Sequence, residues 1–274
     1  MLPRIVRTYW RSDPFAIPGP RAALSIIGER RHNLKSAQAS RYDLYFGQGL
    51  NAMKKVLLTG FGAYGNTPIN PAKAVAEVLD GQSLDDGSVV SHIVPALFFK
   101  SIESVASAIT EFEPNVVVML GEYGGRAMVT VERLAHNFND ATRYGLADND
   151  GYAPQDVPTV PDAPAAYYAS VPIRAMVRAM RTAGIPADIS DTPGTLICNH
   201  LMYGVLHHIA THRLPIRAGW IHLPHLPVVA AQLDNLGAPS MSAETAAAGV
   251  RAALQAAVTR DTDINEAIRS RWQI

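Results

Sequence analysis

One cysteine is present in 274 residues, Cys198, so no disulfide can form within the chain. A chain without that staple must rely on its apolar core, and a reducing cytoplasm is its natural home. No apolar run reaches the ~18–20 residues that a membrane-spanning helix needs. Charge of one sign is also missing. Lys and Arg number 24 against 24 Asp and Glu, and the pI is near 7.1. That balance gives no general attraction to nucleic acid or to an anionic membrane. What is present is a 48% hydrophobic composition, enough for one large α/β domain with a well-buried core.

Residues 1–52 stand apart from the rest. They hold eight Lys/Arg and three Asp/Glu, which leaves 16 basic and 21 acidic residues in 53–274. No helical or strand period is sustained there, so poor order is expected. A targeting peptide and a flexible basic arm are possible readings. The preferred one is a misassigned start, because Met53-Lys54-Lys55 directly precedes the first convincing strand. The catalytic domain is then 53–274.

From there strands and helices alternate. Strands are predicted at Lys55–Thr59, Val89–Val94, Asn115–Leu120, Ala187–Ser190 and Ala218–Leu223, with another within Met128–Asn137. Helices are predicted at Pro71–Leu79, Ser101–Phe112, about Ile173–Met180, Thr195–His212 and Ala243–Val258. Residues 141–163, rich in Asp, Gly and Pro, read as a long loop. The fold class that follows is α/β: a three-layer αβα sandwich with a mainly parallel central sheet, in a single domain.

Gly60-x-Gly62-x-x-Gly65 follows the first strand and raises the question of a nucleotide-dependent enzyme. Two observations argue against it. The segment "NTPINP" delays the helix to about Pro71, so no helix N-terminus meets a pyrophosphate at the glycines. The second strand ends "SHIVP", without the acid that would hold a ribose. The glycines are better read as a tight loop that presents Phe61 and Tyr64 as the wall of a small apolar pocket.

Chemistry concentrates in three other places. Cys198 lies in or just before the first turn of a helix that follows Pro193-Gly194. The helix dipole and free N–H groups there favour a thiolate and could bind an oxyanion. His222 ends an apolar strand before Pro224, at the strand edge where α/β active sites form. It is the candidate base, with His225 a near rival and His200 facing the wrong side. Glu122 and Glu132 are candidates to steady the imidazole. Glu132, in an apolar stretch, needs a partner, and the alternative to His222 is Arg126 or Arg133 at a surface. His208 and His212 share a helix face but lack a third ligand, so no metal or other cofactor is assigned.

Four segments, "KVLLTGFGAYGNTPINP", "GEYGGRAMVTVERLAHNFNDA", "GTLICNHLMYG" and "GWIHLPHLP", together resemble the pyroglutamyl peptidase I family in order and spacing. The likeness covers about residues 53–260. It implies a cysteine exopeptidase that hydrolyses the bond after an N-terminal pyroglutamate, through a Glu132–Cys198–His222 triad. It further implies that Phe61 and Tyr64 flank the lactam ring, that Asn70 supports the loop, and that Tyr123, Arg143 and Tyr144 border the site. The partners it implies are peptides with an N-terminal pyroglutamate and other copies of the chain, as a homodimer or homotetramer. Tyr64 stands where the family tends to have Phe, and Glu122-Tyr123 where it tends to have neutral and small residues. These departures keep open a catalytically weak protein that binds another N-terminal group through Glu122 and Tyr123.

Overall fold

The computed structural model describes residues 53–64 and 69–271. The expectations for residues 1–52, and the role of Gly65, lie outside the described residues. In chain order the elements are β1 (Lys54–Phe61), α1 (Pro71–Leu79), β2 (Ser83–Leu84), β3 (Gly87–Val94), α2 (Lys100–Phe112), β4 (Val116–Glu122), β5 (Val129–Glu132) and β6 (Leu134–His136). Then follow β7 (Ala166–Tyr168), α3 (Ile173–Thr182), β8 (Ala187–Ser190), α4 (Ile197–His212), β9 (Arg217–Leu223), α5 (Pro227–Ala230) and α6 (Ala243–Thr259).

The main sheet has seven strands in the order β2-β3-β1-β4-β9-β5-β8. β3, β1, β4 and β9 run parallel, while β5 runs antiparallel to β9 and parallel to β8. Alternate residues of the central strands feed opposite cores. Val56, Leu58, Val116, Val118 and Leu120 pack with α1, α3 and α6. Leu57, Val117, Met119 and Trp220 pack with α2 and α4 on the other face. Near-continuous apolar strands are what a sheet covered on both faces requires. This is the three-layer α/β architecture expected, in one domain.

Local sequence accounts for the element ends that shape the site. Asn70 caps α1 by accepting from the Ala72 N–H at 2.9 Å, and Pro71 occupies the first turn, where its missing donor costs nothing. The glycine question is answered at Gly60. A Cβ there would overlap the Ala72 carbonyl oxygen and lie 2.7 Å from its carbon. Gly60 therefore lets α1 press against the end of β1, which is a packing role. Among the described residues no helix is long and apolar enough to cross a membrane.

Candidate active site

Glu132 and His222 come together because β5 and β9 are antiparallel neighbours. Thr130 pairs with His222 and Val131 with Ile221, so Glu132, two residues beyond Thr130, lies diagonally across from His222 on the same face. Glu132 is completely buried and His222 nearly so. Glu132 Oε1 lies 2.8 Å from His222 Nδ1. The Nδ1–H donates, which leaves Nε2 as the free face of the ring.

Cys198 is the second residue of α4. Its neighbours are fixed by Gly121 in β4. A Cβ on Gly121 would sit 3.0 Å from Cys198 Sγ, 3.1 Å from His222 Cδ2 and 2.5 Å from Trp220 Cζ2. Sulfur and imidazole thus converge on one missing side chain, and the three residues named from the sequence meet at one point of the fold. α4 begins at Leu196 without a side-chain cap, so its first N–H groups are not consumed by a local acceptor.

Glu132 has a second partner that sequence reasoning placed only at a surface. Arg126 Nη1 donates to Glu132 Oε1 at 2.9 Å, and Nη2 donates to Ser190 Oγ at 3.2 Å. The guanidinium also lies 3.7 Å over the Tyr123 ring. Arg133 points away to Asp191 at 2.7 Å. Glu132 therefore takes His222 and Arg126 at once, in the interior. Both donors fall on Oε1, while Oε2 is buried with no partner among the described residues.

The electrostatics correct one expectation. The helix terminus was expected to favour a thiolate at Cys198. Although Cys198 keeps some exposed surface, its thiol is walled by Trp220 and His222, and burial pushes it well above the usual thiol range. The Glu132 and Glu122 charges add to the rise, while Arg126 and the residue's own backbone N–H oppose it. Burial likewise lowers His222 below its ordinary value, against the upward pull of Glu132. Both shifts favour a neutral thiol beside a neutral imidazole at rest. Among the described residues no hydrogen bond joins them.

The remaining predicted residues divide. Phe61 is buried and tilts against Trp220 with centroids 6.0 Å apart. Tyr64 packs on the same cluster, and its hydroxyl is buried without a partner among the described residues. Tyr123 is half-exposed and meets the His222 ring edge-on at 5.3 Å. Asn70 is the buried cap of α1. Arg143 and Tyr144 lie exposed on a turn, stacked on each other at 5.5 Å. No contact brings them to Cys198 among the described residues. Glu122, held open as a recognition group, is instead bonded to His225 at 2.7 Å. The His208 and His212 rings meet at a tilt, with centroids 4.2 Å apart, on the last turns of α4. Asn199, not singled out from the sequence, is completely buried. It accepts from His136 N–H and donates to the His136 and Phe138 carbonyls, tying the strand after Glu132 to the helix that carries Cys198.

Two cavities lie away from this point. One, of about 390 Å³, is lined by Arg133, Ser170, Arg174 and Asp263; the other, of about 690 Å³, lies between α3 and α6. Neither adjoins Cys198, and the site is assigned on its side-chain geometry.

A buried Glu–His pair beside a cysteine at a helix start is the arrangement of a thiol acyl-transfer site. Residues 54–260 match the family described as pyroglutamyl peptidase. The chain belongs to the pyroglutamyl peptidase family. It is 60% identical over 222 residues to a pyrrolidone-carboxylate peptidase of Mycobacterium tuberculosis, covering 81% of this chain and 100% of that protein. One from an Enterobacter species is 45% identical over 213 residues, covering 78% and 97%. Among solved structures, pyroglutamyl peptidase I from Bacillus amyloliquefaciens matches with a TM-score of 0.75 and 36% identity, covering 78% of this chain and 99% of that one. The pyrrolidone carboxyl peptidase from Thermococcus litoralis matches with a TM-score of 0.71 and 34% identity, covering 76% and 94%.

Proposed function

We propose that the chain is a cysteine exopeptidase that removes an N-terminal pyroglutamyl residue from peptides, with Cys198 as nucleophile, His222 as base and Glu132 as the group that steadies the imidazole. The observation that carries this assignment is the 2.8 Å Glu132–His222 bond on the face of the sheet where Cys198 starts a helix.

The reaction starts from the neutral pair. His222 Nε2 takes the thiol proton as sulfur attacks the carbonyl carbon of the pyroglutamyl residue. Glu132 favours the imidazolium that forms, and the uncapped N–H groups at the start of α4 receive the developing oxyanion. One such donor contributes ~3 kcal/mol. The imidazolium then protonates the leaving amine, the C–N bond breaks, and a thioester remains on Cys198. Water, deprotonated by His222, attacks the thioester and releases free pyroglutamate. A pyroglutamyl group is neutral and compact. Aromatic walls from Phe61, Tyr64 and Tyr123 suit it, with Asn70 supporting the loop and Arg143-Tyr144 at the border. The same reading carries a cytoplasmic location and a homodimer or homotetramer.

Hydrolysis of a fluorogenic pyroglutamyl amide tests the assignment. Turnover by the parent chain, abolished in Cys198→Ala and by iodoacetamide, is expected. Undiminished turnover in Cys198→Ala would end it. Retained activity after alkylation, with a thermal shift on adding NAD, would favour the nucleotide-dependent reading instead.

A further inference from the structure

A second acid–imidazole pair stands next to the first. His225 Nδ1 lies 2.7 Å from Glu122 Oε1, and the two side chains are only 13% and 11% exposed. Glu122 ends β4, and its register partner on β9 is Leu223, one residue past His222. The pair thus links the end of β4, which carries Gly121, to the segment just beyond β9, which carries His222. Removing two such groups from water is costly, so the pair is retained against a desolvation penalty.

Between Glu122 and β5 runs a short turn, residues 123–128, that does two things for the site. Tyr123 meets His222 edge-on at 5.3 Å, and Arg126 donates to Glu132 at 2.9 Å. Yet its backbone is weakly held. Tyr123 N–H reaches the Leu223 carbonyl at 2.9 Å, while the Arg126 N–H reaches Tyr123 only at 3.5 Å. Gly125 has φ +86°, a left-handed conformation that glycine adopts freely. His225 supplies the missing restraint. Its ring lies so close over Gly124 that a Cβ there would overlap Nε2, while Nδ1 holds Glu122 at the root of the turn. His225 is itself anchored, because its carbonyl accepts from Met241 N–H at 2.9 Å.

We infer that Glu122 and His225 are positioning residues: they clamp the 123–126 turn so that Tyr123 stays against His222 and Arg126 stays on Glu132. This rests on the reading of Glu132, Cys198 and His222 given above. Neither clamp residue touches the reacting atoms. The Glu122 charge is felt at Cys198, where it helps raise the thiol.

The test uses Glu122→Gln, His225→Ala, the double variant and His225→Gln, whose amide can still donate to Glu122. Expected is a loss in kcat of about tenfold in each of the first two, with KM within about twofold, since displaced catalytic groups cost rate rather than binding. The double variant is expected to lose no more than the worse single one, because both break the same clamp. His225→Gln is expected to recover most of the rate. Iodoacetamide alkylation of Cys198, followed against pH, needs no substrate. Glu122→Gln removes a negative charge near the sulfur, so its alkylation profile is expected to move to lower pH. Unchanged kcat in both single variants would overturn the clamp, as would losses that multiply in the double variant. A parent chain without turnover would instead remove the peptidase reading, and a crystal structure of His225→Ala would then decide the clamp by whether Tyr123 leaves His222 and Arg126 leaves Glu132.

Discussion

Gly121 and Cys198 face each other with no space for a methyl group between them: a Cβ on the glycine would lie 3.0 Å from the sulfur. The same carbon would lie 2.5 Å from Trp220, a fully buried ring that cannot swing away. Gly121→Ala is therefore expected to destabilise the fold by about 1–3 kcal/mol, the usual cost of overpacking. It is also expected to cut kcat/KM more steeply than thermal stability implies, because it forces Cys198 and His222 apart. A melting curve beside steady-state kinetics checks both, and parental kcat/KM in the alanine variant would contradict the packing argument.

Glu132→Gln separates charge from shape. The amide oxygen can still accept from His222, but Arg126 loses its buried counter-charge and the imidazolium loses its stabiliser. Loss of kcat by about 10²–10⁴-fold is expected, with KM little changed. A drop below fivefold would mean that Glu132 is a structural partner of Arg126 and no more.

The pH dependence follows from the two shifts. His222 must be neutral to act as base, and its pKa lies below the ordinary 6.5. The acid limb of kcat/KM is therefore expected below pH 6.5, so activity holds at mildly acidic pH. The Cys198 thiol titrates above its ordinary range. Iodoacetamide is then expected to react at pH 7 about tenfold or more slowly than with a free cysteine. Rapid alkylation that stays flat down to pH 5 would indicate a standing thiolate–imidazolium pair and contradict the neutral resting state.

His200, two residues past Cys198, predicts an acid-linked loss of stability. It is completely buried between Phe98 and Phe99, accepts from Phe99 N–H at 2.9 Å, and burial lowers it to about 4. A folded-state value below the unfolded one gives stability that is present above pH 6.5 and is lost as the pH falls toward 4. Between pH 7 and 4.5 this loss is about 2–3 kcal/mol. Urea unfolding of the parent and of His200→Gln, which keeps an acceptor for Phe99, should show a difference in pH dependence of that size. Parallel pH curves would remove His200 as the cause.

Among the described residues the Tyr64 hydroxyl is buried with no partner, and burial raises its pKa above the usual phenol range. Tyr64→Phe deletes only that oxygen. Stability is expected to stay level or rise by about 1 kcal/mol, because an unpaired polar group leaves the interior. A melting temperature lowered by several degrees would reveal a partner for the oxygen.

How far these features were legible in the sequence depends on their range. Pro71–Leu79 and Ala187–Ser190 were read to the residue, since an Asn cap, a leading proline and flanking turn residues are local signals. β2 and β7 were missed: at two and three residues they are too short to show a period. Glu132, Cys198 and His222 stood out because each is a costly residue type in an apolar setting. Arg126 was read as a partner of Glu132 only at a surface and His225 only as a rival base; that Arg126 joins Glu132 in the interior and His225 pairs with Glu122 depends on the reversal of β5 and on the turn after β4. The neutral thiol was likewise hidden. A helix start can be read from sequence, but the walls of Trp220 and His222 around the sulfur cannot.

The antiparallel seam between β5 and β9 carries a kinetic implication. Glu132 and His222 are 90 residues apart in the chain, and Cys198 stands on a helix that lies between them in sequence. Contacts of such long range are made late during chain collapse. Turnover should therefore be the last property to return on refolding from denaturant, lagging behind the recovery of helical signal. That makes the enzyme a reporter of its own completed assembly.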